Sequence, residues 1–273
     1  MTYMGSTADK NKNIIPEGFL FTQQSLTTFA NCPLKFRKRY IENLKWNSYP
    51  DGDVKKRLDM GNDFHLIAHR YFLGIMDEHI EDAELKRWVE NLKNSFPINK
   101  DYVYLPEYKI RMADNIMRLE ANYDLLLVKN GKIEIWDWKT HSLRPDPDKV
   151  QRNTSFLKKL QTIVYVFVLK EQSKLISGED AQSHLISMNY WQPDPPGTIE
   201  KIVYSDERHR LFKEEIQSRV VRIMDFDYGE FDKENYIEHC KICEFNWFCN
   251  NKKVDFKAME DDEDFLDSLR WED

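Results

Sequence analysis

Residues 122–139 read NYDLLLVKNGKIEIWDWK. Two apolar runs flank Asn130-Gly131, a dipeptide favoured in two-residue hairpin turns because both positions take positive φ. With that turn, Lys129 opposes Lys132, Val128 opposes Ile133, Leu126 opposes Ile135, Asp124 opposes Asp137 and Asn122 opposes Lys139. Opposed residues share a sheet face, and residues two apart stay on it. One face therefore runs from Val/Ile and Leu/Ile to Asp/Asp and Asn/Lys, apolar near the turn and ionic beyond it. Trp136 and Trp138 fall on the other face, as core.

Opposed carboxylates start about 5 Å apart at Cβ and repel each other. A divalent cation offsets that repulsion, and Lys139 helps. Hard ions such as Mg²⁺ or Mn²⁺ prefer carboxylate oxygens. The alternative is a solvent-facing polar end of a hairpin, since charge on strand ends is common. A longer loop would also slip the register. A metal held by Asp124 and Asp137 can bind a phosphate oxygen, activate a water and stabilise a leaving oxygen. Lys139 would orient that water or offset charge as a phosphodiester breaks.

Outward from the hairpin, residues 103–113 and 116–128 read as strands, with Pro106 limiting the first to an edge or a late start. Apolar spacing in 23–44 predicts a helix that Pro33 kinks or splits. A polar link is expected over 46–57 and helices over 58–76 and 81–95. After 139 the pattern predicts a Pro-rich loop (Arg144 to Asp148) and a helix over 155–170. Strands over 183–192 and 198–204 follow, then a helix over 206–225. The order points to one α/β domain, a central mixed sheet flanked by helices with helical N-terminal decoration. Residues 1–18 are expected to be disordered and 251–273 to form an acidic tail.

The chain has 273 residues, 41% hydrophobic and 13% aromatic, enough for a sizeable core. It contains no apolar run of roughly 18 residues and no secretory leader, so a cytoplasmic protein without membrane spans is expected. Its net charge of −7 does not advertise nucleic-acid binding. Any attraction for DNA must be local. Lys35, Arg37, Lys38 and Arg39, and Lys55, Lys56 and Arg57, would supply it, unless they are solvated helix faces. There is no G-x4-G-K-[ST] loop, so no helicase motor is expected here.

The four cysteines are Cys32, Cys240, Cys243 and Cys249. Disulfides suit a cytosolic chain poorly. Cys-x2-Cys-x5-Cys has the short spacings of a metal or cluster site, and four thiolates suit either Zn²⁺ or an iron-sulfur cluster.

Asp124 followed by Asp137-Trp138-Lys139 resembles the PD-(D/E)XK nuclease superfamily, and more closely its RecB-like branch. Gly61-Asn-Asp-Phe-His65 is similar to the branch's Gly-x3-His helix, although His69 fits the periodicity equally well. Glu107 matches an acidic position on the first core strand. Gln161 and Tyr165 match a Gln-x3-Tyr pair on the helix after the lysine. Ala121 and Tyr123 depart from the glycine and aliphatic residue usual before the first aspartate, which narrows the site without removing a ligand.

The resemblance covers about residues 20 to 250 and implies a restriction-endonuclease-like core. It implies a catalytic set of Lys139, Asp124, Asp137, Glu107, Gln161 and Tyr165, with His65, Asp124 and Asp137 as ligands for Mg²⁺ or Mn²⁺. The stretch LTTFANCPLKFRKRY around Cys32, with the C-terminal cysteines, is similar to the iron-sulfur subset of that branch. This subset includes nucleases of AddAB-type helicase complexes and of CRISPR adaptation. It implies a [4Fe-4S] cluster on Cys32, Cys240, Cys243 and Cys249 that staples the chain ends, where spacing alone also allows zinc. The implied activity is a DNA exonuclease or flap-type nuclease in repair, recombination or defence, with DNA as substrate and a helicase or CRISPR-adaptation partner. The alternatives are a non-catalytic DNA-binding or scaffold subunit, and a zinc-stabilised module of different activity.

Overall fold

The hairpin forms in the expected register from Lys129/Lys132 to Leu125/Trp136, where the ladder stops short of the expected Asp124/Asp137 and Asn122/Lys139 pairs, and a mixed sheet grows from it. In the computed structural model, which describes residues 14–45, 52–75, 79–140, 159–230 and 232–255, the sheet has six strands. They are β1 (Phe21–Thr22), β2 (Val103–Asp114), β3 (Met117–Lys129), β4 (Lys132–Trp138), β5 (Ile186–Pro193) and β6 (Pro196–Val203). Asn130 and Gly131 take positive φ at the turn, and Lys129 to Leu125 pair with Lys132 to Trp136. β2 pairs antiparallel along one side of β3, from Met117 to Val128, and is an edge strand that tolerates Pro106. The other side of β3 is shared: β1 pairs in parallel at Leu119 and Glu120, and β4 pairs from Leu125 onward. β4 then pairs in parallel with β5, and β5 pairs antiparallel with β6.

Helices cover both faces. α3 (Gly52–Phe72) and α4 (Ala83–Ser95) lie on one side. Leu85, Trp88, Val89 and Leu92 make the buried stripe of α4, at the spacing of one helical face. They pack with Phe64, Phe72, Leu125, Leu127, Trp138 and Trp191. This core is largely aromatic, and Phe72 stacks on Trp138 with ring centroids 6.0 Å apart. The opposite side carries α1 (Gln23–Asn31), α2 (Pro33–Phe36), α5 (Leu160–Glu171) and α7 (Asp206–Met224). α5 buries residues all around its axis, from Thr162 to Leu169, because the sheet, α1 and α7 enclose it. α6 (Lys174–Ser177) follows it, and α8 (Asn246–Asn250) closes the described C-terminal segment.

Several expectations change in detail. α3 begins at Gly52, so the expected link over 46–57 is shortened by helix. Pro33 does split the first helix: α1 ends at Cys32 and α2 begins with Pro33, followed by a π-helical turn over Arg37–Ile41. Ile14 and Ile15, placed in an expected disordered start, pack against the core. Residues 1–13, Arg144 to Asp148 and the acidic run Glu260 to Asp264 lie outside the described residues.

Two substitutions probe this packing. Leu92 is fully buried, so Leu92→Ala is expected to lower the unfolding free energy by about 2–5 kcal/mol in urea titration. A cost well under 1 kcal/mol would contradict the packing of α4 on the aromatic core. A Cβ on Gly61 would stand 2.8 Å from Thr140 Oγ1, so α3 approaches the end of β4 there more closely than alanine permits. Alanine is favoured over glycine in a helix by about 1 kcal/mol. Gly61→Ala is nevertheless expected to lower the thermal midpoint, because buried Thr140 must move; a raised midpoint would show that it yields freely.

Candidate active site

Alternation is regular along the first half of β3, where Met117, Leu119, Ala121 and Tyr123 face the core with α5. Beyond Asp124 the phase inverts: Leu126 joins that core, while Leu125 and Leu127 face α3 and α4. β2 inverts alongside it. Ile110 and Met112 belong to the α5 side, as does Leu105, with Tyr104 on the other. The change falls at Glu107, whose φ is +49°, in the left-handed region a non-glycine residue occupies at a cost. The flanking pairs Pro106/Leu125 and Tyr108/Tyr123 set Glu107 opposite Asp124. On the other side of β3, the ladder with β1 ends at Glu120 and that with β4 begins at Leu125. Asp124 thus occupies a seam in the sheet.

The seam collects ionisable side chains from three elements. His65 projects from α3, with Nδ1 3.4 Å from Asp124 Oδ1. One ligand atom each of His65, Glu107 and Asp124 lies within 4.8 Å of the others. Asn122 Nδ2 donates to Glu107 Oε2 at 3.3 Å. The backbone N–H of Trp138 donates to Asp124 Oδ2 at 2.7 Å, so a side chain accepts where the β3/β4 ladder has stopped. A second group adjoins. Lys139 Nζ is 2.9 Å from Asp137 Oδ1 and donates to Gln161 Oε1 at 3.1 Å, while Gln161 Nε2 donates to Asp137 Oδ2 at 2.6 Å. Lys139 N–H also donates to Trp191 O at 2.8 Å, which ties the strand end to β5.

Tyr165 stands one turn along α5 from Gln161. Its ring packs against Tyr123, whose hydroxyl donates to the Tyr165 carbonyl at 3.0 Å. Burial pushes the Tyr165 hydroxyl well above its ordinary pKa, and the nearby Asp137 and Asp124 charges add to that rise. His65, Asp124, Asp137 and Lys139 are only 3–7% exposed.

The expected site residues therefore lie in two adjoining groups. His65, Glu107 and Asp124 form the one with ligand spacing, and Asp137, Lys139 and Gln161 form a closed triangle beside it. Histidine 65, not His69, is the one that meets the carboxylates. The expected opposition of Asn122 to Lys139 does not occur, because the phase inversion intervenes and Asn122 holds Glu107 instead. Trp136 and Trp138 do pack on the face away from α5, in the aromatic core. Asn122 is placed by the sequence pattern against Lys139 rather than Glu107, and Thr140 carries no signal in that pattern. Asn122 stands two residues before Asp124, and Thr140 approaches α3 at Gly61. The carboxylates of Glu107 and Asp124 and the imidazole of His65 make a donor set suited to a hard divalent ion.

The four cysteines also come to one cavity. Cys32, Cys240, Cys243 and Cys249 line one cavity of about 120 Å³, together with Lys35, Lys38 and Phe245. Cys32 sits in the break between α1 and α2, which turns its Sγ to accept from Lys35 N–H at 3.4 Å. Burial raises the Cys32 thiol above its ordinary pKa and pushes Cys243 up to about 12. The first basic cluster is neither a solvated face nor an open patch. Lys35 and Arg39 pair with Glu244 at 2.8 and 3.7 Å, Arg37 pairs with Glu42 at 2.6 Å, and Lys38 is buried. Lys55, Lys56 and Arg57 are exposed on α3.

No curated protein matches the sequence. Two solved structures are similar at 12% identity. One is the crystal structure of SSO0001, covering 88% of this chain and 90% of that one with a TM-score of 0.41. The other is a protein from Eubacterium rectale named as a candidate exonuclease, covering 84% and 89% with a TM-score of 0.47. Among the described residues no helix is long and apolar enough to cross a membrane. The profile of the PD-(D/E)XK nuclease superfamily matches residues 20–250, over the sheet, the seam and the cysteines alike. The chain belongs to the PD-(D/E)XK nuclease superfamily.

Proposed function

We propose that this chain is a metal-dependent deoxyribonuclease of the RecB-like branch, acting as an exonuclease or flap-type nuclease in repair, recombination or defence. The observation that carries this reading is the convergence of His65, Glu107 and Asp124 to ligand spacing beside the Asp137–Lys139–Gln161 triangle. His65, Asp124 and Glu107 would hold Mg²⁺ or Mn²⁺, with Asp137 as the adjoining carboxylate. Such an ion supplies Lewis-acid polarisation of a phosphodiester and a water of lowered pKa.

The chain's own groups do the rest. Lys139 carries a positive charge to the place where negative charge grows on the phosphate. Gln161 accepts from Lys139 and donates to Asp137, so one amide sets both side chains in position. Its own position follows from α5, which the core encloses. By the same family likeness, the partner would be a helicase or a CRISPR-adaptation protein.

The four-cysteine cavity supports a [4Fe-4S] cluster in this reading. All four cysteines line it, four thiolates suit a [4Fe-4S] cluster as they suit Zn²⁺, and the likeness to the iron-sulfur subset favours the cluster. A cluster there would join Cys32 to the segment after Cys240, closing most of the chain into a loop.

Two experiments test the proposal. End-labelled single- and double-stranded DNA is incubated with Mg²⁺, Mn²⁺ or EDTA. Wild type is expected to cleave only with metal, and Lys139→Ala to lose at least about 10²–10³-fold while keeping its circular dichroism spectrum. Undiminished cleavage by the variant would refute the assigned role of Lys139. Failure of folded wild type to cleave any substrate would favour a binding or scaffold subunit. Separately, anaerobically purified protein is expected to contain iron and acid-labile sulfide, and Cys32→Ser to lose both and melt at lower temperature. Zinc in place of iron would overturn the cluster.

A further inference from the structure

Lys38 is 7% exposed on the π-helical turn after α2, and it lines the four-cysteine cavity. Lys35 of α2 and Arg39 share the one carboxylate of Glu244, and Arg37 pairs with Glu42. Among the described residues Lys38 meets no carboxylate in an ion pair. Its ammonium lies 3.8 Å from the centre of the Phe248 ring and 5.9 Å from that of Phe245. Aromatic faces attract a cation but do not neutralise it. A lysine buried to this extent is costly to hold without negative charge in its surroundings. Glu234 also lines the cavity, without an ion pair to Lys38 among the described residues, and the four cysteines, as thiolates, are the other groups there able to carry negative charge.

We propose that Lys38 is the built-in counter-cation of an anionic centre held by Cys32, Cys240, Cys243 and Cys249. This rests on the cluster reading above. Four thiolates outweigh the positive charge of a [4Fe-4S] core, so the bound centre is an anion in a low-dielectric site. Lys38 partly offsets that charge from the cavity wall, and its ammonium over the Phe248 ring of α8 ties the N-terminal turn to the C-terminal segment. A one-electron reduction adds one negative charge to the centre, and Lys38 therefore favours the reduced state more than the oxidised one.

The full-length protein is purified anaerobically and its iron and sulfide are measured first. The reduction potential of the cluster is then followed by dithionite titration with electron paramagnetic resonance. Lys38→Met and the more polar Lys38→Gln are expected to disfavour reduction about tenfold, a shift of about 59 mV to more negative potential. They should also release iron to a chelator faster. Lys38→Arg keeps the charge and should remain close to wild type. Equal potentials in wild type and both neutral variants, at full iron content, would overturn the proposal and leave Lys38 a packing role. Equal shifts in the arginine and neutral variants would overturn it too, since charge would then not matter. Wild type without iron and sulfide would fail at the first measurement, removing the cluster reading and this inference together.

Discussion

Ionised side chains stay in a protein interior only where other charges and oriented dipoles receive them. That requirement organises the centre of this chain. Asp124, Asp137, Lys139 and His65 are all nearly excluded from solvent, and each is met by a group placed for it. A backbone N–H that would otherwise extend the ladder turns to Asp124. Gln161 spans Asp137 and Lys139, and Asn122 steadies Glu107. The interruption between the β1 and β4 ladders and the positive φ of Glu107 belong to the same arrangement. Two strands invert their pleat together so that carboxylates from both reach one place.

Such a seam needs rigid walls, because a shift of a fraction of an ångström separates ligands from their ion. The two cores supply them differently. On the α3/α4 side, interlocked aromatic rings from α3, α4, β4 and β5 hold the helix that delivers His65. On the other side, α5 is buried around its whole circumference and delivers Gln161 and Tyr165 from a position it cannot leave without exposing core. Gly61 lets α3 come down to Thr140, directly after Lys139, so the histidine helix and the end of the lysine strand approach closely beside the site.

The cysteine cavity follows the same electrostatic logic at the far ends of the chain. Burial raises the thiols of Cys32 and Cys243, which favours their protonated forms unless a cation binds. The basic turn after Cys32 meets Glu244 and Phe248 from the C-terminal segment, so ion pairs and cation–π contacts already draw the two ends together. Basic residues that look from composition like a nucleic-acid patch are engaged in this closure, and the exposed cations of α3 are a separate set.

Local rules determined much of this from the amino acids alone. Asn130-Gly131 dictated the turn, and the turn dictated the register that the hairpin adopts as far as Leu125 and Trp136. Pro33 split the first helix beside Cys32, and Pro106 confined β2 to an edge. The candidate site residues could be named from the sequence because the order and spacing that carry the family resemblance are local facts. The grouping among them was not. Strict alternation put Asn122 with Lys139, and only the paired inversion at Glu107 and Asp124 moved Asn122 to Glu107 and brought Glu107 to His65. The fate of Lys35, Lys38 and Arg39 was equally hidden, since Glu244 and Phe248 lie some two hundred residues away in sequence. Pleat phase and ion pairing between distant segments are set by packing against whole cores, and no window of sequence contains that information.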